Sequence, residues 1–560
     1  MLVKRAARAA TVDHANARSQ RPARRLKGPA WLEAAIFYEI YPQSFLDTNG
    51  DGIGDLPGII RKLDYIASLG CTAIWLNPCW VSPFGDAGYD VADFCRVAPR
   101  YGTNADLRRL FREAHRRGLR VCLDLVAGHT SIEHPWFKAS SRPEPNDYSN
   151  WYLWSSSVWE EVPNFSTVQG YSRRDGRYIA NFFHFQPALN FGFARPDPRK
   201  PWQLPVDHPD VRSVRAEMKQ IMRYWLDAGA DGFRVDMASS LVKGDTGYTK
   251  TMAWWQEVRA MCDRDYPEAV LISEWSSPRH AIAAGFHFDF LIHFGSLAYT
   301  TLFRHESSRD IFGVRDRFGH SFFDRSGQGD VTHFLTTYLR HYRSTRGKGY
   351  ISIPSGNHDI GRLSEGRTLA ELKVIFAFLL TLPGIPCIYY GDEIGLRHVH
   401  GLPSKEGGFG RTGARTPMQW TRGRNAGFSS APKNRLYLPQ DPKNDRPTVD
   451  EQFDDPGSLL HHVRHLANLR AKSPALGGDG DFKPLFAKSR RYPLVFLRRK
   501  GEERFVVAVN PAKTGQTLIL RMKAGSIATW SSAGASLTKT KTGVRLQMTG
   551  VSYGIFRLLP

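Results

Sequence analysis

Cysteine is scarce in this chain: six in 560 residues, at Cys71, Cys79, Cys95, Cys122, Cys262 and Cys387. None has a CxxC partner, which argues against a zinc ribbon or a dithiol redox centre, and Cys122 and Cys387 lie in apolar, strand-like runs. Buried reduced thiols are expected, which points to a reducing compartment, the cytoplasm. No apolar run approaches the roughly 18 residues of a membrane span. Acids are outnumbered, 54 Asp and Glu against 76 Lys and Arg, for a formal net charge of +22. Part of the excess lies in residues 1–30, where Lys4, Arg5, Arg8, Arg18, Arg21, Arg24, Arg25 and Lys27 face only Asp13. That stretch has no apolar h-region, so it reads as a basic disordered tail and not a secretory signal. The other basic residues are spread along stretches such as 104–119, a solvated face rather than a nucleic-acid surface. No internal repeat is visible.

What the chain does have is alternation. Eight short apolar runs (36–43, 72–77, 120–126, 232–236, 270–274, 288–294, 350–355 and 385–390) are separated by helix-like segments, among them 56–69, 211–228, 252–265 and 368–382. This order predicts an α/β fold, a (β/α)8 TIM barrel whose site lies at the carboxyl ends of the strands. About eighty residues rich in Trp, Tyr, Phe, Asn and Pro follow the third run, and a connection that long carries its own fold. The last barrel helix is expected at 456–472, with Leu459, Leu460, Val463, Leu466 and Leu469 facing inward. Beyond it, short alternating runs at 495–497, 505–509, 517–520, 544–548 and 553–558 predict an antiparallel β-domain. The expected organisation is a tail at 1–30, a barrel at 31–130 and 205–475, an inserted domain at 131–204 and a C-terminal β-sandwich at 476–560.

Three of the runs end on acids: GFRVD at 232–236, VLISE at 270–274 and ISIPSGNHD at 351–359. Strand-end carboxylates converging on one mouth suit glycosidic bond cleavage. There one acid protonates the leaving oxygen while another carboxylate attacks or stabilises the sugar cation. Separately, DTNGDGIGD puts oxygen-bearing side chains of Asp47, Asn49, Asp51 and Asp55 at alternate positions, with Gly52 for a sharp turn. That pattern suits a hard cation of Ca2+ type. It begins like an EF-hand, but its twelfth position is Gly58.

Taken in order, DLVAGH at 124–129, GFRVD, ISE at 272–274 and NHD at 357–359, supported by GYDVAD at 88–93 and GIPCIYYGDE at 384–393, resemble the α-amylase family of retaining glycoside hydrolases. The resemblance to this family, glycoside hydrolase family 13, runs from about residue 36 to the C-terminus. RTPMQW at 415–420 and NAGFS at 425–429 are similar to its maltase, oligo-1,6-glucosidase and trehalose synthase branch. QPALN at 186–190 is similar too, with Ala188 replacing an acid. The resemblance implies Asp236 as nucleophile, Glu274 as general acid/base and Asp359 as the acid that grips the distorted sugar. It implies that His129 and His358 hydrogen-bond the same glucose, that Tyr89 stacks under it, and that Asp90 and Arg415 clamp its outer hydroxyls, giving exo action. Arg234 is expected to bind at the site and keep Asp236 ionised, while Asp236 raises Glu274. A structural Ca2+ on Asp47, Asn49, Asp51, Asp55 and the Ile53 carbonyl is implied, with no organic cofactor. Gly128 stands where many members have an Asn that holds a second calcium, so that ion is not expected. Met237 follows neither residue pattern that tracks linkage in this branch.

The implied function is a retaining α-glucoside hydrolase or transglucosidase acting on maltose-like or short α-glucan substrates. Its partner is an oligosaccharide or disaccharide α-glucoside, with no membrane and no nucleic acid. A maltose-to-trehalose isomerase is favoured by RTPMQW and NAGFS and disfavoured by NHDIGR at 357–362; an endo-acting α-amylase is a further alternative. A catalytically silent carbohydrate-binding homologue is disfavoured because all three acids remain. The sequence carries no signal for an oligomeric state.

Overall fold

The structure, a computed structural model, describes residues 28–292, 297–303 and 320–559. Most of the basic tail (1–27) and the end of the sixth expected strand (293–294) lie outside the described residues. Eight parallel strands form the barrel: β1 Phe37–Ile40, β2 Ala73–Leu76, β3 Arg120–Leu125, β4 Gly232–Val235, β5 Val270–Ser273, β6 Phe288–Phe290, β7 Tyr350–Ser352 and β8 Cys387–Tyr389. They pair in the order β7-β6-β5-β4-β3-β2-β1-β8. A bridge between Pro354 and Cys387 closes the seam, and the Ser355 N–H donates to the Cys387 carbonyl at 2.9 Å. The expected TIM barrel is therefore present.

Side chains alternate across each strand, so one set fills the barrel and the other meets the helices. Phe37, Ala73, Trp75, Cys122, Val270, Ile272, Phe288, Phe290 and Cys387 form the inner cluster, whereas Tyr38, Ile74, Leu76, Phe233, Val235 and Leu271 join the outer one. Register pairs Asp124 with Arg234 and Arg234 with Ile272. Period-two alternation then carries Asp236 and Glu274, two residues beyond Arg234 and Ile272, to the same inward face at the strand ends. Outside, Pro209–Asp227 buries Val211, Val214, Met218, Ile221, Met222 and Trp225 at helical spacing. The expected helix over 56–69 is two, Leu56–Arg61 and Leu63–Ser68, which meet at Lys62.

The inserted segment holds little regular structure: helix Pro135–Ser140 and a ribbon of Thr167–Val168 with Tyr178–Ile179. Aromatic packing orders it. Phe137 contacts Tyr152, Trp154, Tyr171 and Tyr178 at centroid distances of 5.0 to 5.7 Å. Backbone bridges His129–Ala188 and Phe193–Lys243 fasten it to the barrel.

The C-terminal region is the expected antiparallel β-domain. It is one hydrogen-bonded antiparallel sheet of six strands, held together by Gly543–Leu558, which pairs with three neighbours. The runs at 544–548 and 553–558 belong to this single strand. Its partner Ile527–Thr540 has too little apolar alternation to read as a strand, because most of its side chains face solvent. Leu494, Phe496, Val507 and Val509 join the barrel core, and the sheet rests on helix Leu369–Leu379.

Candidate active site

Arg234 is the hub of the barrel mouth. Its guanidinium, 1% exposed, donates from Nη1 to Asp124 Oδ1 at 2.9 Å and to Asp236 Oδ1 at 3.0 Å, and from Nη2 to Glu274 Oε1 at 2.6 Å. Asp124 is held in turn by the Trp75 indole N–H at 3.0 Å and the Tyr89 hydroxyl at 2.9 Å. Glu274 Oε2 accepts the Met237 N–H at 2.9 Å. Met237 reaches that position with φ of +43°, a left-handed backbone that a non-glycine residue adopts only under constraint.

The charge balance differs from expectation. Burial raises Asp236 well above the usual carboxylate range, the charge of Glu274 and a hydrogen bond to it add to the rise, and Arg234 only partly opposes it. Burial likewise raises Glu274 against Arg234. Arg234 therefore does not by itself hold Asp236 low, because it divides its charge among three buried acids. Two neighbouring buried carboxyls, both raised and both facing one shared guanidinium, suit an acid and a nucleophile drawn from one pair.

His358 stacks on Tyr89 with centroids 5.2 Å apart. Its Nδ1 faces Glu39 Oε1 at 2.9 Å and its Nε2 lies 3.3 Å from Asp359 Oδ2. Burial raises Glu39 well above the usual carboxylate range and lowers His358 well below its usual value, and the Asn77 amide reaches both at 3.2 to 3.3 Å. His129 differs from its expected role as a donor to glucose. It lines the cavity, but its Nε2–H donates to the Tyr89 carbonyl at 3.1 Å and its Nδ1 accepts from Asn181 at 3.0 Å. Burial keeps His129 neutral, pushed down to about 4.

The expected clamp of Asp90 and Arg415 is not formed. Asp90 is fully buried, and its oxygens accept from the Ser82 hydroxyl and the N–H groups of Gly85 and Asp86 at 2.8 to 3.0 Å. It anchors the loop instead of facing the cavity. Arg415 points its Nε at the His358 carbonyl (2.7 Å) and its Nη2 at Asp359 Oδ1 (3.2 Å). The positions four residues earlier, Asp86 and Arg411, line the cavity instead. Arg411 reaches Asp359 Oδ1 at 2.5 Å and Asp86 Oδ1 at 3.7 Å. Asp86 also accepts from Gln186 at 2.8 Å, and burial pushes it up to about 6.

These groups surround a cavity of about 400 Å³ lined by Asp236, Glu274, His358, Asp359, Tyr89 and His129, with Phe182, Met237 and Trp275 among its apolar walls. The size fits a small ligand. Asp124, Glu39, Asp86 and Arg411 were missed as site residues. DLVAGH, the strand run at 36–43 and the repeated acid and arginine beside Asp90 and Arg415 were the available signals.

At the seam with the inserted segment, a Cβ on Gly128 would lie 3.1 Å from Asn181 Nδ2, so Asn181 fills the room a side chain there would need. The buried Lys243 ammonium donates to the Ser240 carbonyl at 2.7 Å and to Asn181 Oδ1 at 3.4 Å, joining the two parts with a protein cation. Burial pushes Lys243 down to about 8. Ala188 packs with Leu153, Ile179 and Phe193, where an acid would be buried in apolar surroundings.

In the DTNGDGIGD loop, Asp47 accepts the N–H groups of Asn49, Gly50 and Gly52 and the Ser429 hydroxyl, so NAGFS is tied to this loop. Asn49 and Asp51 accept the N–H groups of Asp51 and Ile53. Asp55 caps helix Leu56–Arg61 through Gly58 N–H at 2.7 Å and takes the Thr48 hydroxyl. Among the described residues, no three His, Cys, Asp or Glu side chains are grouped as a metal site. The donors of the loop are nonetheless all oxygen, and Asn49 and Asp51 are exposed, which fits a hard cation such as Ca2+.

Known proteins bear directly on this arrangement. The model of the α-amylase catalytic domain matches residues 39–479. The trehalose synthase/amylase TreS of Mycolicibacterium smegmatis is 32% identical over 85% of this chain and 82% of its own. The oligo-1,6-glucosidase of Parageobacillus thermoglucosidasius is 30% identical over 86% of this chain and 90% of its own. The crystal structure of the trehalulose synthase MutB from Pseudomonas mesoacidophila MX-45 superposes with a TM-score of 0.78 at 24% identity, covering 95% of this chain and all of that one, a likeness of fold.

Proposed function

This chain belongs to the α-amylase family, glycoside hydrolase family 13, and we propose that its cavity takes a terminal α-glucosyl unit and cleaves it by double displacement. It is a glycoside hydrolase or transglucosylase. The observation that carries the mechanism is Arg234 donating to both Asp236 and Glu274 on one cavity wall. Asp236 attacks the anomeric carbon while Glu274 gives a proton to the glycosidic oxygen. Glu274 then takes a proton from the water or sugar hydroxyl that displaces Asp236. The binding of a sugar displaces the contact between the two carboxyls and leaves the proton with Glu274. Asp359, held by Arg411, Arg415 and His358, grips the ring hydroxyls as the ring flattens. Tyr89 forms the wall beneath the ring.

Exo action is supported by the floor, where Arg411 joins Asp359 and Asp86 by ion pairs at 2.5 and 3.7 Å. Maltose-like disaccharides and short α-glucans are the substrate class, in keeping with relatives named oligo-1,6-glucosidase and α-glucosidase. Isomerisation of maltose to trehalose is the second reading, favoured by the trehalose synthase/amylase relative and by NAGFS.

A structural Ca2+ held by Asp47, Asn49, Asp51, Asp55 and the Ile53 carbonyl would stabilise the first loop without entering the chemistry. A reducing, cytoplasmic setting is supported by six free thiols, five of them buried. No helix among the described residues is long and apolar enough to cross a membrane. The deciding experiment incubates the protein with maltose, isomaltose, trehalose, sucrose or starch and follows products by NMR. A first product with retained α configuration, lost in Asp236→Asn, supports the reading; no turnover of any substrate overturns it.

A further inference from the structure

Glu274 is followed by a turn whose anchor lies behind the cavity wall. Asp289 sits in the middle of β6, in register with Ser273 at the end of β5. Its neighbours Phe288 and Phe290 fill the barrel, so alternation sends Asp289 to the opposite face of the strand, where it is fully buried. Oδ1 accepts the Ser273 hydroxyl at 2.7 Å and the Trp275 N–H at 3.0 Å, and Oδ2 accepts the Ser277 N–H at 2.8 Å. One carboxyl thus holds the residue before Glu274, the residue after it and the residue three beyond.

Asp124, Asp236 and Glu274 lean on Arg234, whereas Asp289 is compensated by neutral donors. Burial pushes it up to about 7, and the Ser273 hydroxyl with the N–H groups of Trp275, Ser277 and Ser276 works against that rise. The turn needs such an anchor. Ser276 holds φ of +54°, a left-handed backbone that a non-glycine residue keeps only where its surroundings enforce it. Its hydroxyl accepts the Ile292 N–H at 3.3 Å and donates to the Ile292 carbonyl at 3.2 Å, a second tie to the chain just after β6. Trp275, whose N–H Asp289 takes, lines the cavity and packs on Tyr248 with centroids 5.3 Å apart. On the other side, the Glu274 N–H donates to the Val235 carbonyl at 3.1 Å and its carbonyl accepts the Ala238 N–H at 3.2 Å. The backbone of Glu274 is therefore set between the end of β4 and the Asp289 carboxyl.

We propose that Asp289 is a positioning residue for Glu274: by fixing the strained turn at 275–277, it holds the Glu274 carboxyl where a proton can pass to the leaving oxygen. The inference rests on the proposed function above. Asp289 acts through the backbone and from the far side of the sheet, without touching the sugar. A proton donor displaced by about 1 Å loses on the order of 100-fold in rate, and general acid help is worth about 100- to 10,000-fold in all. Loosening the turn should therefore be felt where the leaving group needs that proton, and much less where it does not.

The test compares maltose, whose departing sugar oxygen needs a proton, with α-glucosyl fluoride, whose fluoride leaves with far less help from an acid. For both donors kcat/KM covers the steps up to the glucosyl ester, so the maltose-to-fluoride ratio of kcat/KM reads proton donation while the fraction of active enzyme cancels. Asp289→Asn turns an amide N–H2 toward the N–H groups it should accept, and is expected to lower that ratio about 10- to 100-fold. Ser273→Ala removes one donor and spares the backbone contacts, and is expected to lower it by a smaller factor. An unchanged ratio in Asp289→Asn overturns the positioning role even if the variant melts at a lower temperature, because a general loss of structure moves both donors alike. Should Asp289→Asn not fold, Ser273→Ala decides, and an unchanged ratio there overturns the role. If the wild type consumes neither donor, the glucosidase reading falls first and the positioning role with it.

Discussion

Arg234 and Glu274 are joined by a 2.6 Å charge-assisted contact in which Nη2 donates to Oε1. The same guanidinium neutralises Asp124 and Asp236, so one cation serves three buried acids. Its removal leaves those acids crowded without a counter-charge. Arg234→Met is expected to cost about 3–5 kcal/mol of stability and to abolish turnover. Urea unfolding at pH 7 checks this, and a variant as stable and active as wild type would remove Arg234 from its central place.

Stability should fall as pH rises from about 4.5 to 7. Glu393, buried under the hydroxyls of Tyr38 and Tyr65, is pushed up to about 7 by burial. A raised carboxyl contributes stability below its unfolded pKa and loses that contribution as pH climbs through its folded value. The loss from this residue is at most about 3 kcal/mol. Glu393→Gln should match wild type at pH 5 and exceed it at pH 8. Equal pH dependence of the two melting curves would contradict the assignment.

Asp86 and Arg411, and not Asp90, should set affinity for the terminal sugar. Asp86→Ala and Arg411→Ala are each expected to lower kcat/KM by about 10- to 100-fold, mainly through KM. Asp90→Ala removes the acceptor of two loop N–H groups and should cost about 2 kcal/mol of stability. Paired kinetics and melting decide the matter. The reverse pattern, an Asp90 variant of normal stability with the larger rise in KM, would restore the original clamp.

Calcium should raise the melting temperature of wild type, and chelation should lower it by a few degrees. Asp51→Ala should lose most of that response because Asp51 is exposed and makes one backbone contact within the loop. Differential scanning calorimetry with and without chelator tests this, and an identical calcium response in wild type and Asp51→Ala would rule out Asp51 as a ligand.

The barrel was legible because each strand is buried on both faces and reads as an apolar run, and because Asp236, Glu274 and Asp359 end such runs. The clamp was misread because Asp86 and Asp90, like Arg411 and Arg415, lie four residues apart in loops without periodicity. Which member turns inward depends on N–H groups supplied by Gly85 and Asp86, a matter of loop conformation that residue types do not encode. Glu39 was overlooked for a different reason. An acid in the middle of β1 becomes meaningful only when β7 and its extension bring His358 beside it. The strand Ile527–Thr540 escaped because its partner buries it on one edge while its polar side chains stay wet.

The Glu39–His358 contact spans 319 positions of sequence, and β1 also pairs with the final barrel strand. The acid of the first barrel strand therefore waits for the segment that follows β7 before the histidine stands beside it. At about 5–20 residues per second, that wait lasts roughly a quarter of a minute to a minute. During it, the strand that will close the barrel is an unpaired edge inside a growing chain. His358 joins the cavity only when synthesis of the barrel is nearly complete, so truncated products that carry Glu39, Asp236 and Glu274 still lack the histidine.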